Sequence, residues 1–217
     1  MDFEFIKQFY PMYVDAGILT LKLAFLGIVL SIIIGAFCTA ARYFNVKFAL
    51  PFIDAYIELS RNTPLLIQLF FLYYALPKIG ISMSGFTCAV VGLAFLGGSY
   101  MAESFRLGYE SVRRSQIEAG MSIGLSKSQI LYHVVSPQAF AVSLPSVSAN
   151  IIFLLKETSI VSIVALADLV YVAKDIIGLY YMTDEALFML VVSYLAIILP
   201  ISLGLTWLEK RIARARG

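Results

Sequence analysis

The chain has 217 residues, 60% of them hydrophobic and only 14% charged, with a net charge of +2; an ordinary soluble domain is roughly a quarter charged. That balance excludes a soluble globular domain and a disordered tail, and the small net charge offers no surface for nucleic acid. It predicts an all-α, polytopic integral membrane protein, with residues 1–217 forming one transmembrane domain.

In chain order, Phe3, Phe5, Ile6, Phe9, Tyr10, Met12 and Tyr13 alternate with charges around Pro11, which reads as an interfacial helix with aromatic anchors. Asp2, Glu4 and Lys7, with no short apolar stretch ending at a small-residue cleavage site, argue against a cleaved signal peptide. Lys22–Arg42, Lys78–Glu103, Lys127–Lys156 and Glu185–Glu209 enclose 19, 24, 28 and 23 uncharged residues, and about 20 apolar residues cross a bilayer. With a shorter uncharged run between Arg61 and Lys78, five spans are expected, over about 17–41, 49–77, 85–105, 145–164 and 185–208.

The second span is irregular. Asp54, Glu58 and Arg61 fall on one helical face and read as a structural charge cluster near the inner end; Asn62, Thr63 and Pro64 follow at once. Pro64 lacks the N–H of the helix ladder and disfavours helical angles at Thr63, so a kink is predicted there. After Glu103 and Arg106 comes the one long stretch without membrane character, about 107–137. Gly124 separates two helical patterns in it, and Ser126 followed by Gln129 signals a capping box, so helix, tight turn and helix are expected. Pro137 is expected to end the second of these helices, with Ser143 as cap and Pro145 in the first turn of the fourth span.

Positive residues are retained on the cytoplasmic side. With the N-terminus outside and the C-terminus inside, the inner segments hold Arg42, Lys47, Arg106, Arg113, Arg114, Lys127, Lys210, Arg211, Arg214 and Arg216, ten of the 16 basic residues.

Several chemistries have no residues to carry them. No glycine is followed by lysine, so the phosphate-binding loop of an ATPase is missing. His133 is the single histidine and reads as a surface or packing residue, and Cys38 and Cys88 read as small packed hydrophobes. No metal, no cofactor and no catalysis are expected of this chain.

Gln116-Ile117-Glu118-Ala119-Gly120, Gly124-Leu125-Ser126 and Pro137-Gln138-Ala139 resemble the EAA motif of ABC importer membrane subunits. Arg61 to Phe70, Tyr100 to Arg106 and Lys156-Glu157-Thr158-Ser159 resemble the polar amino-acid branch, the histidine, glutamine and arginine type of permease. The resemblance runs from about residue 16 to 212. It departs where the family has a second alanine and this chain Gly120, where it has Leu-Pro and this chain Ser136-Pro137, and where it commonly has Asp and this chain Glu157.

The resemblance implies a permease subunit in a bacterial cytoplasmic membrane, importing polar amino acids by alternating access. Implied partners are a pair of ATPase subunits, a second membrane subunit and an extracytoplasmic substrate-binding protein. Glu118, Ala119, Gly120, Gly124, Leu125 and Ser126 would form the coupling element that docks on the ATPase. Lys156 stands 11 residues beyond Pro145, about 17 Å along a helix and near the middle of a hydrocarbon core of about 30 Å. Ions at that depth mark substrate paths, so Glu157, Lys156, Asn62, Thr63 and Gln68 are the candidate pathway residues. A stand-alone secondary transporter or channel, a membrane-embedded enzyme and a pathless scaffold are the competing readings.

Overall fold

The computed structural model describes residues 1–214, so Arg216, one of the basic residues assigned inside, lies outside the described residues. Within them every regular element is helical: α1 (Phe3–Tyr43), α2 (Leu50–Arg61), α3 (Leu65–Phe70), α4 (Gly85–Glu110), α5 (Arg114–Ser122), α6 (Lys127–Ile130), α7 (Ser136–Glu157), α8 (Leu169–Tyr180) and α9 (Thr183–Arg214). Wider π turns at Phe71–Ala75 and Leu131–Val135 continue α3 and join α6 to α7, and a tighter 3₁₀ stretch, Thr158–Val164, extends α7.

Four described helical runs are long and apolar enough to cross a membrane: Phe3–Tyr43, Gly85–Glu110, Lys127–Val164 and Thr183–Arg214. The predicted second span is divided instead. α2 stops at Arg61, and Pro64 starts a shorter apolar helix that ends at Ile79.

The core is a seam between α1 and α4. Gly27, Ser31 and Gly35 recur every fourth residue of α1 and meet Leu93, Gly97 and Met101 of α4, so closely that a Cβ on Gly35 would lie 2.6 Å from the Met101 Cβ. Small residues let helix backbones approach like this in membranes, where packing and interhelical hydrogen bonds replace the hydrophobic drive. The Ser31 hydroxyl donates to the Gly27 carbonyl at 2.7 Å and lies 3.3 Å from that of Leu93. Leu23, Leu93, Met101 and Leu154 are fully buried around this seam, and both cysteines are buried and free.

The segment around Pro11, expected as an interfacial helix ahead of the first span, is continuous with that span. α1 runs unbroken through Pro11, although an interior proline costs about 3 kcal/mol. Its first turns are held from outside: the Phe5 ring meets Tyr180 edge-on at 5.7 Å and the Phe9 ring meets it tilted at 4.8 Å, and the Tyr13 hydroxyl donates to the Ala186 carbonyl at 2.8 Å. Pro137, expected to end a helix, does not. It sits in the first turn of α7, directly after the π turn, where the ladder changes register and a missing N–H is tolerated. Ser143 and Pro145 therefore lie inside α7 rather than at its start.

Candidate functional site

Both halves of the broken helix rest on α4. Tyr56 and Ser60 of α2 donate to the Phe95 carbonyl at 2.7 and 2.9 Å, and the Ser60 hydroxyl also meets that of Ser99 at 3.0 Å. Beyond the break, Leu65 and Leu69 of α3 pack against Gly92, where any Cβ would fall 2.8 Å from the Leu69 side chain.

A helix end leaves its last carbonyls without partners. Here three side chains take them in turn: Asn62 donates to the Glu58 carbonyl at 2.8 Å, Thr63 to that of Leu59 at 2.8 Å, and Gln68 to that of Ser60 at 3.1 Å. The Gln68 amide also donates to the Thr63 carbonyl at 2.9 Å. Three of the residues predicted to line a pathway thus hold the break in shape.

Beside the break lies a cavity of about 250 Å³ whose walls include Arg61, Thr63, Leu96, Tyr100, Phe153 and Glu157. The Arg61 guanidinium stands over the Tyr100 ring, 5.3 Å from its centroid, and Tyr100 packs on Phe153 at 5.3 Å. Leu154, one turn before Glu157, meets Gly97 in the middle of α4, so the cavity lies at mid-depth of the bundle. One cation and one carboxylate face a space too small for the roughly 300 Å³ of a drug-sized site and suited to a small zwitterion.

Among the described residues neither Glu157 nor Lys156 has an ion pair or a side-chain hydrogen bond. Glu157 is half-buried on the cavity wall, whereas Lys156 is exposed and outside it. Asn62 and Gln68 are outside this lining too, and Gln68 borders a separate apolar cavity of about 450 Å³ with Leu59, Phe71 and Phe95.

Arg61 lines this cavity, although its spacing from Asp54 and Glu58 reads in the sequence as part of a structural charge cluster. The expected cluster of Asp54, Glu58 and Arg61 disperses: Asp54 pairs with Arg42 at 2.7 Å, the Glu58 carboxylate accepts from Asn62 at 3.0 Å, and Arg61 turns to Tyr100. The signal that could have found it is its place immediately before the Pro64 break.

At the end of the bundle that carries Arg42 and Asp54, α5 and α6 form the predicted helix-turn-helix. Gly124 adopts φ +84°, its N–H bonding Met121 at 2.9 Å while Leu125 bonds Gly120 at 3.1 Å, the Schellman pattern that favours glycine. Ser126 and Gln129 complete a reciprocal capping box. Gly120 is buried, and a Cβ there would lie 3.2 Å from the Ile130 side chain and 3.6 Å from that of Leu125. The Tyr43 hydroxyl donates to the Lys127 carbonyl at 3.1 Å, and Val112, Ile130 and Val135 form a small core beneath. Glu118 is exposed and pairs with Arg114 at 3.3 Å. Met121 and Ile123 are exposed beside it, Ile123 to 78%; no sequence motif singles them out.

Residues 13–214 match the family of binding-protein-dependent transport system inner membrane components. The chain is 30% identical over 215 residues to the probable glutamine ABC transporter permease protein GlnM of Bacillus subtilis (strain 168), covering 99% of this chain and 100% of that one. It is 37% identical over 164 residues to the probable glutamine ABC transporter permease protein GlnP of the same organism, covering 76% and 75%. A crystal structure of an amino acid ABC transporter with histidines superposes with a TM-score of 0.89 at 32% identity, covering 97% of this chain and 99% of that one.

Proposed function

From its membership of the family of binding-protein-dependent transport system inner membrane components, to which the chain belongs, we propose that it is the permease subunit of an ATP-driven importer of polar amino acids. The observation that carries this reading is mechanical. Lys127 to Val164 is one helical run that begins in the capped helix-turn-helix and holds Glu157 on the cavity wall. At 1.5 Å per residue it joins the two over about 45 Å, so a push on α5 and α6 reaches the cavity without a flexible link.

In this reading Glu157 receives the substrate ammonium and Arg61 its carboxylate, with Thr63 beside them; Asn62, Gln68 and Lys156 belong to the surrounding pathway. Glu118, Ala119, Gly120, Gly124, Leu125 and Ser126 form the coupling element, and exposed Met121 and Ile123 supply its apolar contact. ATPase subunits dock there, a second permease completes the path, and a substrate-binding protein delivers to the opposite side. The broken α2–α3 segment serves as the second of five passes. The N-terminus lies outside a bacterial cytoplasmic membrane and the C-terminus inside, and alternating access moves the substrate.

Two measurements test this: mass spectrometry of whatever co-purifies from the native membrane in mild detergent, and cross-linking from a cysteine at Ile123. Recovery of an ATPase subunit cross-linked at that position is expected. Recovery of the chain alone, active in liposomes without ATP, would replace this reading with that of a secondary transporter.

A further inference from the structure

We infer that Gln68 is a positioning residue rather than a substrate contact: its amide fixes the helix break and thereby holds Arg61 over Tyr100, facing the cavity. The inference rests on the cavity being the amino-acid site.

Gln68 is 9% exposed, and both of its useful hydrogen bonds are donated, to the carbonyls of Ser60 and Thr63. The Ser60 carbonyl belongs to the peptide that enters Arg61 and the Thr63 carbonyl to the peptide that leaves the break, so tying both to one rigid amide fixes the two ends of the short segment that carries Arg61. Backbone groups freed by a break inside a membrane bundle need a partner in the protein or in a watery cavity, and the Gln68 amide is that partner for both carbonyls. Ser60 is itself anchored to Phe95 and Ser99, and Leu69, next to Gln68, is fully buried against Gly92. The amide therefore joins two fixed points across the three-residue break, whereas Asn62 and Thr63 bond only back to α2.

Two facts separate this role from direct contact. The Gln68 carbonyl oxygen is buried and has no partner, so it is not presented to the cavity that holds Arg61 and Glu157. The open space beside Gln68 is the neighbouring one with Leu59, Phe71 and Phe95 on its walls, a lining unsuited to a zwitterion.

The test is a double-mutant cycle on the intact assembly purified in mild detergent, with binding of the twenty L-amino acids measured one by one. Gln68→Met removes both donated bonds at nearly constant length. It is expected to weaken every bound amino acid by one common factor of about tenfold, a loss typical of buried hydrogen bonds, with their rank order unchanged. In an Arg61→Ala background it should add little, because it acts through Arg61. A changed rank order, effects that multiply, or no effect of Gln68→Met would each overturn the positioning role. Gln68→Glu, which keeps the length and one donor when neutral, is the milder variant if the first fails to assemble, and is read the same way. Should Arg61→Ala and Glu157→Gln both leave binding unchanged in an intact assembly, the cavity reading itself fails, an outcome distinct from failure at Gln68 alone.

Discussion

Arg42, in the last turn of α1, holds Asp54 of α2 at 2.7 Å and Glu103 of α4 at 3.1 Å, so one guanidinium ties three helices together where the broken helix begins. Asp54 is 62% exposed and Glu103 only 20%, so the two bonds are unequal. Asp54→Asn should cost less than about 1 kcal/mol, as exposed pairs do. Arg42→Met should cost more, about 1–2 kcal/mol, because both pairs go at once, although Glu103 keeps Arg106 at 2.7 Å. Thermal unfolding in detergent checks the order, and a larger loss for Asp54→Asn would contradict it.

The seam of α1 and α4 leaves no room at Gly35. A Cβ there would lie 2.8 Å from the Ala102 backbone nitrogen, and backbone cannot step aside, so Gly35→Val should cost several kcal/mol or abolish assembly. At Gly178, in α8, a Cβ would meet nothing within 4 Å. Gly178→Ala should therefore stabilise by up to about 1 kcal/mol through helix propensity. The same melting curves read both variants.

Glu157 lines the cavity and Lys156 does not. Glu157→Gln is expected to weaken amino-acid binding by roughly tenfold to a hundredfold, the loss of one charged hydrogen bond. Lys156→Gln should leave it within about threefold. Equal losses from the two changes, measured by binding to the assembled complex, would argue for a shared ion pair instead.

The coupling turn should separate binding from transport. Ser126→Ala removes one side of the capping box and should destabilise α6 by about 1 kcal/mol. Gly124→Ala forces a Cβ onto φ +84° at about 1–2 kcal/mol. Both variants are expected to bind substrate normally and to transport it more slowly per ATP hydrolysed, measured in proteoliposomes. Normal coupling in both would remove the turn from the mechanism.

Asp168 lies between the spanning helices, fully buried, and caps α8 through the Val170 and Tyr171 N–H groups at 3.3 and 3.0 Å. Burial pushes its carboxyl up to about 6, against an opposing pull from those N–H groups and from Lys174. An acid raised on folding stabilises the fold below its ordinary range near 4, and that contribution is lost as pH climbs through about 6. The loss between pH 4 and 7 is at most about 3 kcal/mol. Asp168→Asn keeps a cap without the charge, so its melting temperature should fall less over this interval than that of the native chain; parallel curves would refute the assignment.

The local features were legible in the sequence, and each for a local reason. The all-helical membrane character follows from long uncharged runs, the α5–α6 turn from Gly124, Ser126 and Gln129, and the break from Pro64, because turns, caps and breaks are decided by residues three or four apart. What only the tertiary structure decided is which partner each polar group takes. Arg61 meets Tyr100, Tyr43 meets Lys127 and Arg42 meets Glu103 across separations of 39 to 84 residues, and no local pattern encodes such a meeting. α1 likewise passes Pro11 because Tyr180 and Ala186 hold its first turns from far along the chain. Asn62, Thr63 and Gln68 read from the sequence as pathway residues near the Pro64 break; that they close the break while Arg61 and Glu157 line the cavity depends on how α2 and α3 are clamped against α4, since a buried carbonyl must find its donor wherever the packed helices bring one.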